Sequence, residues 1–348
     1  MKILSTFALL FVFLGSRAQI GNVPFMEYIY QNSGCNGFKY GSGSLIFISA
    51  NAFVMEDGSD CKGTIKVKYR EFHSQTDMVA SGLNMLLQRD GKDHLLESAG
   101  MFEIRAECNG KPMKMSVGAT IQVRMNCRRT LPNLQAFIYD EKLNRWMDYG
   151  KVYDFSYDQD SPKKDDALFG SNDVTNTVER GDGDGMVEMV DSAGNVIYVQ
   201  PDESYWRGFD DKQMPDGYFK GMNLKQLGIF NYDGVIDNKD AVQMIPEFVV
   251  NTGEPIGDRI FVAYAKKNTV VYYYPDNFAE KFVLLNTKGI KIFTKLKDGS
   301  YATLKEGSLD KANIKLMKGT KQKFVLEKQP IKPKTKEELA SVTKINNK

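Results

Sequence analysis

Three segments in the first half of the chain alternate apolar and polar side chains residue by residue. Thr64–Arg70 places Ile65, Val67 and Tyr69 on one face and Lys66, Lys68 and Arg70 on the other. Met101–Cys108 sets Phe102, Ile104, Ala106 and Cys108 against Glu103, Arg105 and Glu107. Thr120–Cys127 repeats the pattern with Ile121, Val123, Met125 and Cys127. A period of two means strands with one dry and one wet face. Asn109-Gly110-Lys111 and Val117-Gly118 supply turns, and Phe137–Asp140 with Arg145–Tyr149 flank a further hairpin that Trp146 pins to the core. No long amphipathic helix stands out, so residues 22–153 are expected to form a β-sandwich.

Further along, short strand candidates recur at Val196–Val199, Phe219–Ile229, Glu247–Val250, Arg259–Ala265, Thr269–Tyr274, Lys281–Leu285, Ile290–Leu296 and Lys323–Glu327. Turn signals sit at Asp233-Gly234, Gly257-Asp258, Lys288-Gly289 and Asp298-Gly299. Regular spacing of this kind predicts a second all-β domain over 186–326. Residues 154–216 hold 16 acidic and five basic side chains. Their first part, 154–185, is poor in apolar residues and is expected to be an acidic flexible linker. From Lys281 onward there are 17 lysines and six acids, and 327–348 reads as a Lys-rich disordered tail. The expected fold class is therefore all-β, with two β-sandwich-like domains joined by the acidic linker.

The 348 residues suffice for about two domains. A formal net charge of +2 argues against a nucleic-acid binder. Residues 1–18 read as a signal peptide: Lys2 begins it, Ile3–Leu14 is a short apolar run, and Ser16-Arg17-Ala18 suits cleavage before Gln19. The chain is thus expected to be exported, to the periplasm or the outer membrane or beyond the cell. Its four cysteines, Cys35, Cys61, Cys108 and Cys127, are an even count in the first domain and favour two disulfides over a zinc site, since no CxxC pair exists. In a simple meander Cys108 and Cys127 would lie about 10 Å apart, too far to pair. Each would then pair with Cys35 or Cys61, a constraint that a crossover between sheets removes.

Candidate chemistry is sparse. With His73 and His94 the only histidines, a His-based site has little material. His73, Ser74 and Asp77 share residue types with a hydrolase triad, but adjacent side chains on a strand point apart, so a polar strand end is the better reading. His94 falls in an apparent turn. Arg180–Asp191 tracks part of a calcium loop, yet Arg180 stands where a carboxylate ligand belongs. No metal or cofactor is expected. Tyr205, Trp206, Tyr272, Tyr273 and Tyr274 are the candidate aromatic binding surface, although alternation buries at least one of the three consecutive tyrosines. Asp233 and Asp237 are the carboxylates an enzyme would draw on from the second domain.

Gly43–Phe53, Gly63–Phe72, Glu97–Ile104 and Phe137–Asp140 to Trp146 resemble the ZU-five-like β-sandwich domain found in secreted envelope proteins of Bacteroidota. The resemblance covers about residues 40–150, with a weaker likeness around Leu227–Asp233. It implies a structural or interaction module rather than an enzyme. Some eukaryotic relatives cleave themselves at His-Phe-Ser; this chain has Phe72-His73-Ser74, and the resemblance carries over no site residue. The expectation is a non-catalytic interaction or scaffold protein of the cell envelope. It would have an envelope protein as partner and a contact to anionic lipid or lipopolysaccharide through the Lys-rich tail. The alternative is a secreted carbohydrate- or peptide-processing enzyme using carboxylates of the second domain.

Overall fold

In a computed structural model, the described residues are 23–32, 34, 36–155, 187–190, 196–199, 218–236, 239, 241–309 and 314–346. They form an all-β fold. The proposed signal peptide, Cys35, Tyr205, Trp206, Asp237, most of the acidic linker and most of the calcium-loop stretch lie outside them.

The first half is a sandwich. One sheet has nine strands. Its main path runs β1 (Met26–Tyr30), β5 (Ile65–Phe72), β7 (Lys92–Cys108), β16 (Gly228–Val235), β10 (Gln135–Asp140), β11 (Arg145–Gly150) and β6 (Leu86–Arg89). Beside β7 lie β8 (Lys111–Met115) and then β4 (Phe53–Met55). β6 also pairs with β7, so this end of the sheet returns onto itself, with Trp146 opposite Leu87 at the closing contact. The facing sheet runs β12 (Tyr153–Phe155), β15 (Tyr218–Leu224), β9 (Ile121–Cys127), β3 (Leu45–Ile48) and β2 (Asn36–Lys39). A further hairpin joins β13 (Val187–Val190) and β14 (Val196–Val199).

The alternating segments become β5, the end of β7 and β9, with their apolar faces inward as expected. Val67, Tyr69, Phe102, Ile104, Phe230 and Tyr232 meet Ile46, Ile121, Val123, Met125 and Met222 from the other sheet. Phe102 stacks on both Tyr69 and Phe230, at 5.6 and 5.3 Å between ring centroids. Burying aromatic surface of this size dominates the energetics of such a core.

The domain boundary expected at residue 186 is corrected. β15 pairs with β9, and β16 fills the gap between β7 and β10, so both complete the first sandwich. Phe219–Ile229 is also two strands rather than one, because the chain turns at Lys225–Leu227. Asp233-Gly234 is no turn: both lie within β16, where the register shifts after Tyr232. A glycine in a strand commonly marks such a bulge. His94, expected in a turn, lies in β7 opposite Leu87.

The second half covers 241–346. Its six-stranded sheet runs β18 (Ile245–Val250), β24 (Lys321–Lys328), β23 (Tyr301–Leu304), β22 (Ile290–Lys295), β19 (Ile260–Tyr264) and β20 (Thr269–Tyr273). All pairs are antiparallel except β18 with β24. A small pair joins β17 (Ala241–Gln243) to β21 (Val283–Leu285). The connecting segments hold α2 (Phe278–Lys281) and single 3-10 turns at Pro275–Asn277 and Ile314–Met317.

One hydrophobic core joins the halves: Phe72, Met101, Phe137 and Trp146 pack in a single cluster with Val262, Val271, Phe282 and Leu339. The edge strand β20 finds its partners in the sandwich. Met85 N–H donates to Val270 O (3.2 Å), and the Asn84 side chain both donates to Tyr272 O (3.0 Å) and accepts from Tyr272 N–H (3.1 Å). Satisfying an edge in this way removes a template for unwanted strand pairing.

The expected disordered tail is likewise corrected. After β24, the helix α3 (Lys336–Thr343) buries Leu339 and Val342, with Ile345 just beyond it. Thr335 caps its N-terminus, accepting from Glu338 N–H at 3.2 Å. Burial of this apolar stripe, together with the cap, offsets the ordering entropy that the lysine content alone would not.

Cys61 and Cys108 form a disulfide with Cα atoms 5.9 Å apart. The expectation of two bridges is not met, since Cys127 is a free, buried thiol. The crossover between sheets places Cys108 and Cys127 in opposite layers. Asn36 lies opposite Ile48, and Ile48 opposite Ile121. That level is about 20 Å along β9 from Cys127.

Candidate functional site

The polar residues singled out above gather where the halves meet, and most of them work structurally. α1 (Gln75–Ser81) begins immediately after β5, and Ser74 is its N-cap rather than a strand end. Ser74 Oγ accepts from Asp77 N–H (3.2 Å), while Asp77 Oδ2 accepts from the N–H groups of His73 and Ser74 (3.1 and 3.0 Å). This reciprocal capping box is what the Ser-x-x-Asp spacing encodes. Asp77 Oδ1 meets Lys336 Nζ at 2.7 Å. Burial pushes the Asp77 carboxyl up, but the bonds from Lys336, Ser74 and His73 outweigh it and hold the group below its usual range. Gly82 ends α1 with φ +73°, a left-handed conformation that glycine adopts without strain.

His73 does not face Ser74 or Asp77. Its Nε2 lies 2.6 Å from Glu71 Oε2, and Tyr69 donates to Glu71 Oε1 at 2.9 Å. Nδ1 is buried without a hydrogen-bond partner among the described residues. Gly100 permits this packing: a Cβ there would fall 2.7 Å from Met125 Cε and 3.7 Å from His73 Nδ1. The histidine therefore belongs to the interior.

Asp233 is fully buried, and burial, the dominant cause, pushes its carboxyl well above the usual range. Its Oδ2 accepts from Asn231, whose Oδ1 accepts from Ser98 Oγ at 2.9 Å. A carboxyl enclosed in this way cannot reach a polymeric substrate, so Asp233 is corrected from candidate catalytic carboxylate to core residue. The aromatic surface is corrected in part. Tyr272 and Tyr273 are each 3% exposed, whereas Tyr274 is 37% exposed. Tyr272 uses its hydroxyl on Gly82 O (3.2 Å) and Asn144, and Arg259 lies over the rings of Tyr272 and Tyr274.

No sequence expectation covers the concavity. A groove of about 600 Å³ lies on the wet face of β5 and β7. Lys68, Glu103, Arg105 and Glu107 line it together with Pro112–Met115 and Lys225–Leu227. Its charges are held by neighbours. Lys68 meets Glu107 at 2.7 Å and Glu27 at 3.6 Å; Glu103 bridges Arg70 and Arg105, with Arg105 Nε 2.8 Å from Glu103 Oε1. Arg105 also bonds Glu141. Glu103 is itself buried between its two arginines, and the set fixes an alternating pattern of charge on a sheet whose other face is core. The polar half of the same alternation that predicted the strands, Lys68 with Glu103, Arg105 and Glu107, was the available signal.

Among the described residues no group of His, Cys, Asp and Glu side chains could hold a metal ion, and no helix is long and apolar enough to cross a membrane. The chain matches no family model, no curated protein and no solved structure.

Proposed function

We propose that this chain is a non-catalytic interaction or scaffold component of a bacterial cell envelope that grips a partner protein in the groove over β5 and β7. The observation that carries this reading is the groove itself, where an ordered set of opposite charges stands beside apolar Met113, Met115 and Leu227. A protein segment with complementary charge fits such a surface, because fixed charges steer the encounter and penalise mismatched partners. The Cys61–Cys108 disulfide supports an oxidising compartment, consistent with the signal peptide read from residues 1–18.

The test is in-cell crosslinking of tagged full-length protein, with mass spectrometry of the envelope fraction, alongside the exposed groove variant Lys225→Glu. One or two envelope proteins enriched by the wild type and lost from the variant are expected. Identical partners from both, or none from either, would overturn the reading.

A further inference from the structure

On the opposite half of the molecule, the outer face of β18 and β24 is built differently from the groove. Alternation turns Phe248, Val250, Phe324 and Leu326 into the core and leaves Ile245, Glu247, Lys321, Lys323 and Val325 outward. The 3-10 turn Ile314–Met317 adjoins this face, because Ile245 N–H donates to Thr320 O (3.0 Å) and Thr320 N–H to Met317 O (3.1 Å). Ile314 anchors the turn in the core while Leu316 stands 77% exposed. Val325 is 47% and Ile245 36% exposed. Lys318 follows Leu316 by two residues, Lys321 lies opposite Ile245, and Val325 sits two residues beyond Lys323 on β24. Among the described residues the acids on the face are Glu247, loosely paired with Lys323 at 3.9 Å, and Glu327 at its far end.

A single exposed aliphatic residue needs no explanation. Three exposed aliphatic residues interspersed with lysines along one face have the composition of an interfacial surface, with apolar tips below the headgroups and ammonium groups at phosphate level. We propose that this face docks the protein on an anionic phospholipid bilayer, with Leu316 inserting and Lys318, Lys321 and Lys323 binding lipid phosphates. The charge of the face selects the bilayer over a neutral surface, and the exposed leucine gives it a means of insertion that purely electrostatic adsorption lacks. The proposal does not rest on the groove, so either reading can fail alone. It also moves the lipid contact from the expected tail to a folded surface.

The experiment is co-sedimentation with vesicles of phosphatidylcholine alone and of a phosphatidylcholine–phosphatidylglycerol mixture. It uses the full chain and the chain from Gln19 on, so that the apolar run Ile3–Leu14 contributes to only one of them. Binding by both chains to the mixed vesicles and not to phosphatidylcholine is expected. Replacing Lys318 and Lys321 by Gln should weaken it about 25-fold, at about fivefold per lysine. Leu316→Ser should weaken it about tenfold. Thermal unfolding of each variant confirms that the fold is kept. Three results would overturn the proposal: equal binding to both vesicle types, binding indifferent to all three substitutions, or no vesicle binding but a self-association that Leu316→Ser abolishes. The last would assign the face to a second copy of the chain.

Discussion

In the six-stranded half, β19 folds back on β20, β22 on β23 and β23 on β24, each pairing strands that are close in sequence. β19 also pairs with β22, and β18, which begins that sheet and pairs with its last strand, reaches furthest. In the sandwich the decisive pairs are distant. β16 sets Gly228 opposite Ile104 and Phe230 opposite Ile138, and β15 sets Leu224 opposite Ile121. Bringing such segments together costs loop-closure entropy before any contact repays it. The disulfide lies in the half that bears this cost, joining the segment before β5 to the end of β7, strands that are themselves neighbours. The other half is secured instead by its C-terminal helix, docked against α1 and the sheet.

Several substitutions separate the two arrangements. The largest effect is expected from Cys61→Ser with Cys108→Ala. Opening a loop of 47 residues removes up to about 4 kcal/mol by the chain-entropy estimate, read as a lower denaturant midpoint. An unchanged midpoint would deny the sandwich its dependence on the bridge. Leu339→Ala, which empties a fully buried position in α3, should cost about 3 kcal/mol. Hydrogen exchange should then rise first across β22, β23 and α1, and an effect confined to α3 itself would mean that the helix is a passive cover. Asp77→Ala removes the capping box and the Lys336 contact together and should cost about 1–2 kcal/mol in thermal unfolding.

Asp77→Asn keeps an oxygen for the cap but loses the charge, and should cost about 0.5–1 kcal/mol. Its pH dependence has a definite sign. The folded carboxyl titrates below its unfolded value of about 3.9, so the wild-type advantage is complete above that pH. It fades as the pH falls through the folded value. A wild-type advantage that persisted unchanged in acid would show that the Lys336 pair contributes nothing.

Strand character was readable in the sequence because alternation is local. Ile65, Val67 and Tyr69 point inward simply because every second residue is apolar. Partner choice was not readable. The pattern of β16 suits any buried strand, and nothing in Gly228–Val235 announces that β7 and β10 leave a gap for it. Composition misled at the C-terminus. Its lysines suggested disorder, although Thr335 followed by Glu338 is a capping signature and Leu339, Val342 and Ile345 recur at a spacing of three. The same signature at Ser74 and Asp77 reads as a polar strand end when only its chemistry is considered, yet it starts a helix. Asp233 beside a glycine resembled a turn, because a bulge uses glycine for the same reason that a turn does. The groove needed the third dimension: its charges were visible on β5 and β7, but the wall formed by Lys225–Leu227 depends on how β15 and β16 pair.

The most direct test of this architecture is equilibrium unfolding of a chain that runs from Gln19 and ends at Tyr153, where the sequence alone would close the first domain. Without β15 and β16 the sandwich lacks a strand in each sheet, together with the buried Phe230, Tyr232 and Met222. The account predicts no cooperative transition for that fragment, in contrast to the full chain. A sharp two-state transition with stability close to that of the full chain would contradict it.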